Sequence, residues 1–190
     1  MAGRQMRRET AGNSEADETF RVAGGLSPHL KPGHVILSAE VIGDDHHWRP
    51  HERFQQQIRG LGGRIGAVEG AVLGSRAILA TEDDKTRAWR ETGAVAVDLE
   101  SAIVARAAEA AGIPFLVLRT IADPSTRELP PAALIPLAEN GTPAIIRVAA
   151  EVLRRPRQIA SLFGLARETH QALSALAGPA RALRLAFASI

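Results

Sequence analysis

Val35 to Val41 alternates apolar and β-branched positions in the manner of a strand, and Arg64 to Leu73 repeats the pattern with interruptions at Gly66 and Gly70. Ala77 to Ala80 extends the same sheet past the Gly74-Ser75 turn. Glu52 to Leu61 reads as a short helix stopped by Gly62-Gly63. Thr81 is placed to cap a helix through Arg90, its hydroxyl accepting from the amide of Asp83 or Asp84. Ala94 to Val97 is a short strand, Leu99 to Ala111 a helix ending at Gly112, and Ile113 to Ala122 a second strand, apolar nearly throughout. Strand, helix and strand within about thirty residues predict a βαβ crossover whose two strands run parallel. Before these blocks, Ala23-Gly24-Gly25-Leu26, Ser27-Pro28 and Lys31-Pro32-Gly33 carry turn chemistry, and Asp44 to Pro50 is a polar loop. From Ala144 onward the period becomes helical: Ile145, Val148 and Val152 recur on one face up to Pro156, then Ile159, Leu162, Phe163, Ala166, Leu173 and Leu176 on another.

A chain of 190 residues is enough for one α/β domain with a substantial core. Met1 to Thr19 mixes charge, Gly, Asn and Ser without an apolar run, so residues 1–19 are expected to be a disordered tail lacking a signal-peptide core. The domain is expected over 20–178, followed by an amphipathic tail over 179–190. No run approaches the roughly twenty apolar residues of a membrane span, so a cytoplasmic protein is expected. The net charge of +2, carried by a basic set that is almost all arginine, supplies no nucleic-acid surface. From Arg147 to Ile190, however, seven arginines face only Glu151 and Glu168. Helices bearing Arg154, Arg155, Arg157, Arg181 and Arg184 suit either core packing with a solvated basic face or the anionic inner face of a membrane. Cysteine is absent, which removes disulfides, thiolate metal sites and a cysteine nucleophile.

Two acids stand out, because ligands in open α/β sheets sit beyond the carboxyl ends of strands and both Glu100 and Asp123 fall there. Glu100 has an alternative as an ordinary first-turn acid, but Asp98 can cap the helix and free Glu100 for two vicinal sugar hydroxyls. Asp123 has an alternative as the starter of an Asp-Pro turn. At the end of an apolar strand its carboxyl would be partly desolvated, with a raised pKa, and able to protonate a leaving group. His46, His47 and His51 lie in a polar loop without the fixed spacing of metal ligands, so no metal is expected. No GxGxxG or GxxxxGK run occurs, and neither Ser75 nor Ser101 has the setting of a nucleophile.

Three runs in order, Ala23-Gly24-Gly25-Leu26 with Lys31-Pro32-Gly33, Ala96-Val97-Asp98-Leu99-Glu100-Ser101, and Pro114 to Asp123, resemble the purine nucleoside phosphorylase and methylthioadenosine nucleosidase superfamily. Val22 to about Gly178, including Arg154-Arg155-Pro156-Arg157-Gln158, looks most like its hopanoid-associated branch, which removes adenine from adenosylhopane. The resemblance implies part of a phosphorylase-type three-layer α/β domain, with a mixed, largely parallel central sheet flanked by helices. It implies that Glu100 holds the ribose hydroxyls with Leu99 against the sugar, and that Asp123 protonates or hydrogen-bonds a purine nitrogen. Ala23 and Gly24 would approach the ligand through their backbone, and Ile78 with Leu79 would flank the base. It implies no cofactor beyond inorganic phosphate as a co-substrate, a nucleoside ligand that is lipid-linked in that branch, and pairing of two copies. Leu99 replaces the usual Met, Ala122 a common Ser, and Arg76 a frequent Asp. Relatives carry a strand, a phosphate loop and a further βα unit before the Gly-Gly turn, so the match covers an N-terminally shortened domain. The same residues also fit a non-catalytic domain that binds a purine or a protein partner.

Overall fold

The computed structural model describes residues 17–50, 66–134 and 162–175, with 52 and 56. The elements are β1 (Asp17–Gly25), β2 (Val35–Ile42), β3 (His47–Trp48), β4 (Val68–Gly74), α1 (Glu82–Thr92), β5 (Ala96–Asp98), α2 (Ser101–Ala111) and β6 (Phe115–Asp123). A short 3-10 turn at Pro131–Leu134 and a helix over 162–175, here α3, complete them.

The sheet runs β3-β2-β4-β5-β1-β6, and β2 also pairs with β6 through Val35 to Leu37, so five of its strands close on themselves. The long β1–β6 and β2–β4 ladders are parallel, while β1–β5, β2–β3 and β2–β6 are antiparallel. The mixed α/β architecture expected from the sequence is thus present. Each strand of the closed ring contributes to one buried cluster: Ala23, Ile36, Val72, Ala96 and Ile121, with Leu30 added from the β1–β2 loop. A second cluster, Leu26, Ile42, Ala88, Ala94 and Val97, joins α1 to the sheet. A third seats α2, through Ala105 and Ala108, on Val41, Trp48, Phe115 and Val117.

Local chemistry sets the helix limits. Thr81 Oγ1 accepts from the Asp84 amide at 3.1 Å, and Gly93, at φ 69°, ends α1 in the left-handed region that glycine adopts without strain. Gly74 is required for a different reason, close approach. A Cβ built there would stand 2.6 Å from the backbone nitrogen of Ala102, which cannot swing aside. Gly74→Ala is therefore expected to cost about 1–3 kcal/mol by pushing α2 off the end of β4, read as a lower urea midpoint with an unchanged slope.

Several expectations are corrected. β1 opens at Asp17, inside the segment expected to be a disordered tail, and the Gly24-Gly25 pair ends this strand rather than standing alone as a turn. The polar loop holds a strand, β3, because Trp48 is buried and its indole N–H donates to Glu109 Oε2 at 2.9 Å. Ala77 to Ala80 is not strand: Ser75 Oγ binds both the N–H and the carbonyl of Ala77, and Ala80 O accepts from Leu129 N, which takes the segment out of the ladder. β5 and β6 are not a parallel pair. β1 lies between them, antiparallel to β5 and parallel to β6, so the strands joined by α2 run in opposite directions. In α3, Phe163 and Leu173 are exposed and Ala172 is buried, which turns the expected apolar face outward. The expected helix over 52–61, except Glu52 and Gln56, which are helical, and the periodic segment from Ala144 to Ala160 lie outside the described residues, as do His51 and the tail over 179–190.

Candidate active site

Because β5 runs against β6, their carboxyl ends would separate if β5 were long. It has three residues, and both ends meet at one point of β1: Gly24 pairs with Val97 on one side and with Asp123 on the other. A register shift opposite Ala23 and Gly24, where β6 carries Ala122 as an extra residue, produces this pairing. A Cβ on Gly24 would stand 3.3 Å from Asp123 Oδ2 and 3.4 Å from Val97, so the missing side chain leaves the Asp123 carboxyl room beside bare backbone.

Asp123 is buried, and among the described residues no hydrogen bond occupies its Oδ1. Its Oδ2 accepts from Lys85 Nζ of α1 at 2.5 Å. Burial pushes the Asp123 pKa up, the Lys85 ammonium pulls against that shift, Glu168 adds to it and Arg127 opposes it. The raised value expected for an acid at the end of an apolar strand is therefore found, with burial as its leading cause.

Asp98 and Arg119 form a second buried unit. Arg119, fully buried within β6, donates from Nε to Asp98 Oδ2 and from a terminal nitrogen to Ser101 Oγ at 2.8 Å. Asp98 Oδ1 accepts from the amides of Glu100 at 3.0 Å and Ser101 at 2.8 Å. This is the cap expected of Asp98, and the Glu100 side chain makes no capping bond of its own. Glu100 Oε2 instead lies 3.0 Å from Arg21 Nε, both side chains well exposed.

The structure does not join Glu100 to Asp123. The charges acting on Asp123 are those of Lys85, Glu168 and Arg127. Ala23 and Gly24 adjoin Asp123 through the β1–β6 ladder. Leu99, 44% exposed, and Ile78, 45% exposed, present apolar surface to solvent, while Leu79 packs against the α1 cluster. Arg76 pairs with Asp44. His46 lies 3.3 Å from Glu109 and His47 3.4 Å from Glu40, and among the described residues no group of three or more metal-ligating side chains forms. Among them, too, no helix is long and apolar enough to cross a membrane.

Sequence reasoning overlooked Lys85 and the partner of Asp98. Each left a signal. Lys85 occupies the helical stripe of Ala88 and Trp89, and Arg119 interrupts an otherwise apolar strand; a cation in such a place needs a buried acceptor.

Residues 20–154 match the family model of the Phosphorylase superfamily, and the chain belongs to that superfamily. Three solved structures share its fold. An S-adenosylhomocysteine nucleosidase from Streptococcus pyogenes has a TM-score of 0.55 at 17% identity, over 81% of this chain and 67% of that one. A 5'-methylthioadenosine/S-adenosylhomocysteine nucleosidase from Colwellia psychrerythraea, in complex with adenine, has a TM-score of 0.54 at 20% identity, over 80% and 66%. The corresponding nucleosidase from Campylobacter jejuni has a TM-score of 0.53 at 18% identity, over 59% and 57%. The chain thus spans 57–67% of the length of these proteins. No curated protein sequence matches it significantly.

Proposed function

We propose that this chain cleaves the N-glycosidic bond of a purine nucleoside, with release of adenine from adenosylhopane in hopanoid synthesis as the particular reaction. The observation that carries the reading is the Asp123 carboxyl, buried, raised in pKa and set beside the bare backbone of Gly24. A neutral carboxyl there gives its proton to a purine ring nitrogen as the C–N bond breaks. The bond's electrons then leave on a neutral base, and the anomeric carbon, with oxocarbenium character, is captured by water or phosphate. Membership of the superfamily and the adenine in the Colwellia nucleosidase favour a purine as the leaving group.

Glu100 is proposed to hold the ribose hydroxyls, with Leu99 against the sugar, Ile78 and Leu79 beside the base, and Ala23 and Gly24 touching the ligand through backbone. An exposed ion pair such as Arg21–Glu100 is worth at most about 1 kcal/mol, so vicinal hydroxyls can replace the guanidinium. Glu100→Gln is therefore expected to weaken nucleoside binding about tenfold, as for loss of one charged hydrogen-bond acceptor, and to leave free adenine unaffected. Calorimetry with both ligands checks this; equal affinity of the variant and the native chain for the nucleoside would remove Glu100 from the sugar site. The ion pair that holds Glu100 on Arg21 favours one other reading, a purine-binding domain without turnover. Adenine binding with no base release would select it.

A further inference from the structure

We propose that Lys85 is the positioning residue of this site: it fixes one oxygen of Asp123 and the turn that follows, and leaves the other oxygen to face the ligand. The inference rests on Asp123 acting as the acid described above. An ammonium has three donors, and those of Lys85 reach Asp123 Oδ2 at 2.5 Å, Pro124 O at 3.1 Å and Arg127 O at 2.8 Å. All three are used within the protein, and Lys85 is 0% exposed, so it has nothing left for a ligand and acts only through Asp123.

The arrangement goes beyond neutralising a charge. A buried pair repays its desolvation poorly, and a hydrophobic residue of similar volume often serves stability as well. What an apolar residue cannot do is hold a carboxylate rotamer and two carbonyls of the next turn at once. Lys85 ties α1 to the end of β6, and the Arg127 side chain carries the link on to Glu168 of α3. Three elements thus converge on one carboxyl. The charged groups facing Asp123 are Lys85 from α1, Arg127 from the segment after β6 and Glu168 from α3.

The test is a double-mutant cycle of Lys85→Met and Asp123→Asn on base release from a purine nucleoside, with Lys85→Arg as the conservative variant and thermal unfolding as a check on folding. Lys85→Met is expected to lower kcat about tenfold or more with KM changed less than about twofold, because positioning acts on the chemical step. Its alkaline limb should move to higher pH, since the carboxyl loses the ammonium that favours its charged form. In the Asp123→Asn background the same change should cost nothing further, and Lys85→Arg should recover part of kcat. Losses that simply multiply, or an alkaline limb that stays in place, overturn the inference while base release by the native chain stands. Failure of the native chain to release base defeats the parent reading, and this one with it.

Discussion

Asp98→Ala is expected to unfold the domain or bring it close to unfolding. The substitution strips the buried carboxylate that accepts from Arg119 Nε inside the sheet, and breaking a buried pair by removing one member costs about 3–5 kcal/mol. It also removes the acceptor for the Glu100 and Ser101 amides at the start of α2, worth about 1 kcal/mol. Against the total stability of about 5–15 kcal/mol usual for a domain, that sum is decisive. Urea unfolding followed by circular dichroism reads it directly. Asp98→Ala combined with Arg119→Leu should recover part of the loss, because the guanidinium that Asp98 held is then gone as well. A single variant within about 1 kcal/mol of the native chain would show that Arg119 finds another acceptor.

Asp123→Asn is expected to lower kcat for base release by about 10²–10⁴, the range for loss of a general acid, with a smaller change in KM. The amide keeps the shape and can donate a hydrogen bond, but has no proton to give. The pH dependence follows from the raised pKa of Asp123. The carboxyl stays protonated to higher pH than an ordinary aspartic acid, and base release should fall as pH rises through that raised value. Its stability contribution has the same sign: a group with a raised folded pKa stabilises fully below its unfolded pKa, and the contribution is lost as pH rises through the folded one. A pH–rate profile of the native chain checks the first part, and unfolding midpoints across the same range check the second. A variant as fast as the native chain would take Asp123 out of the chemistry.

What the sequence made legible was local. β2 and β6 follow from apolar runs, α1 from Thr81, α2 from Gly112, and the cap at Asp98 from its place before Glu100. What it hid depends on distant pairing. β1 carries Asp17, Glu18 and Thr19 where a strand pattern would show alternation, and its Gly24-Gly25 end has the composition of a turn, so it escapes a reading of period. With β1 unseen, nothing places a strand between β5 and β6, and the crossover rule gives them the wrong relative direction. Closure of the sheet rests on three residue pairs between β2 and β6, contacts of long sequence separation with no local signature. At the site, the burial of Asp123 was readable from its strand. The cation that holds it comes from another element altogether. The two acids were expected at one edge because their strands were taken as parallel; in the structure Val97 and Asp123 meet at Gly24 of β1, because β5 is short and β6 carries the extra residue Ala122 there, while Glu100 pairs with Arg21 instead.

The central claim, that this chain breaks the bond between a sugar and a purine, is tested most directly by following adenine appearance from 5'-methylthioadenosine, adenosine and an adenosylated hopanoid, with and without phosphate. Adenine release above the uncatalysed rate is expected from at least one of them, in step with one sugar product: the free sugar if water attacks, the sugar phosphate if phosphate does. A folded chain that binds adenine yet releases none from any of the three would contradict it.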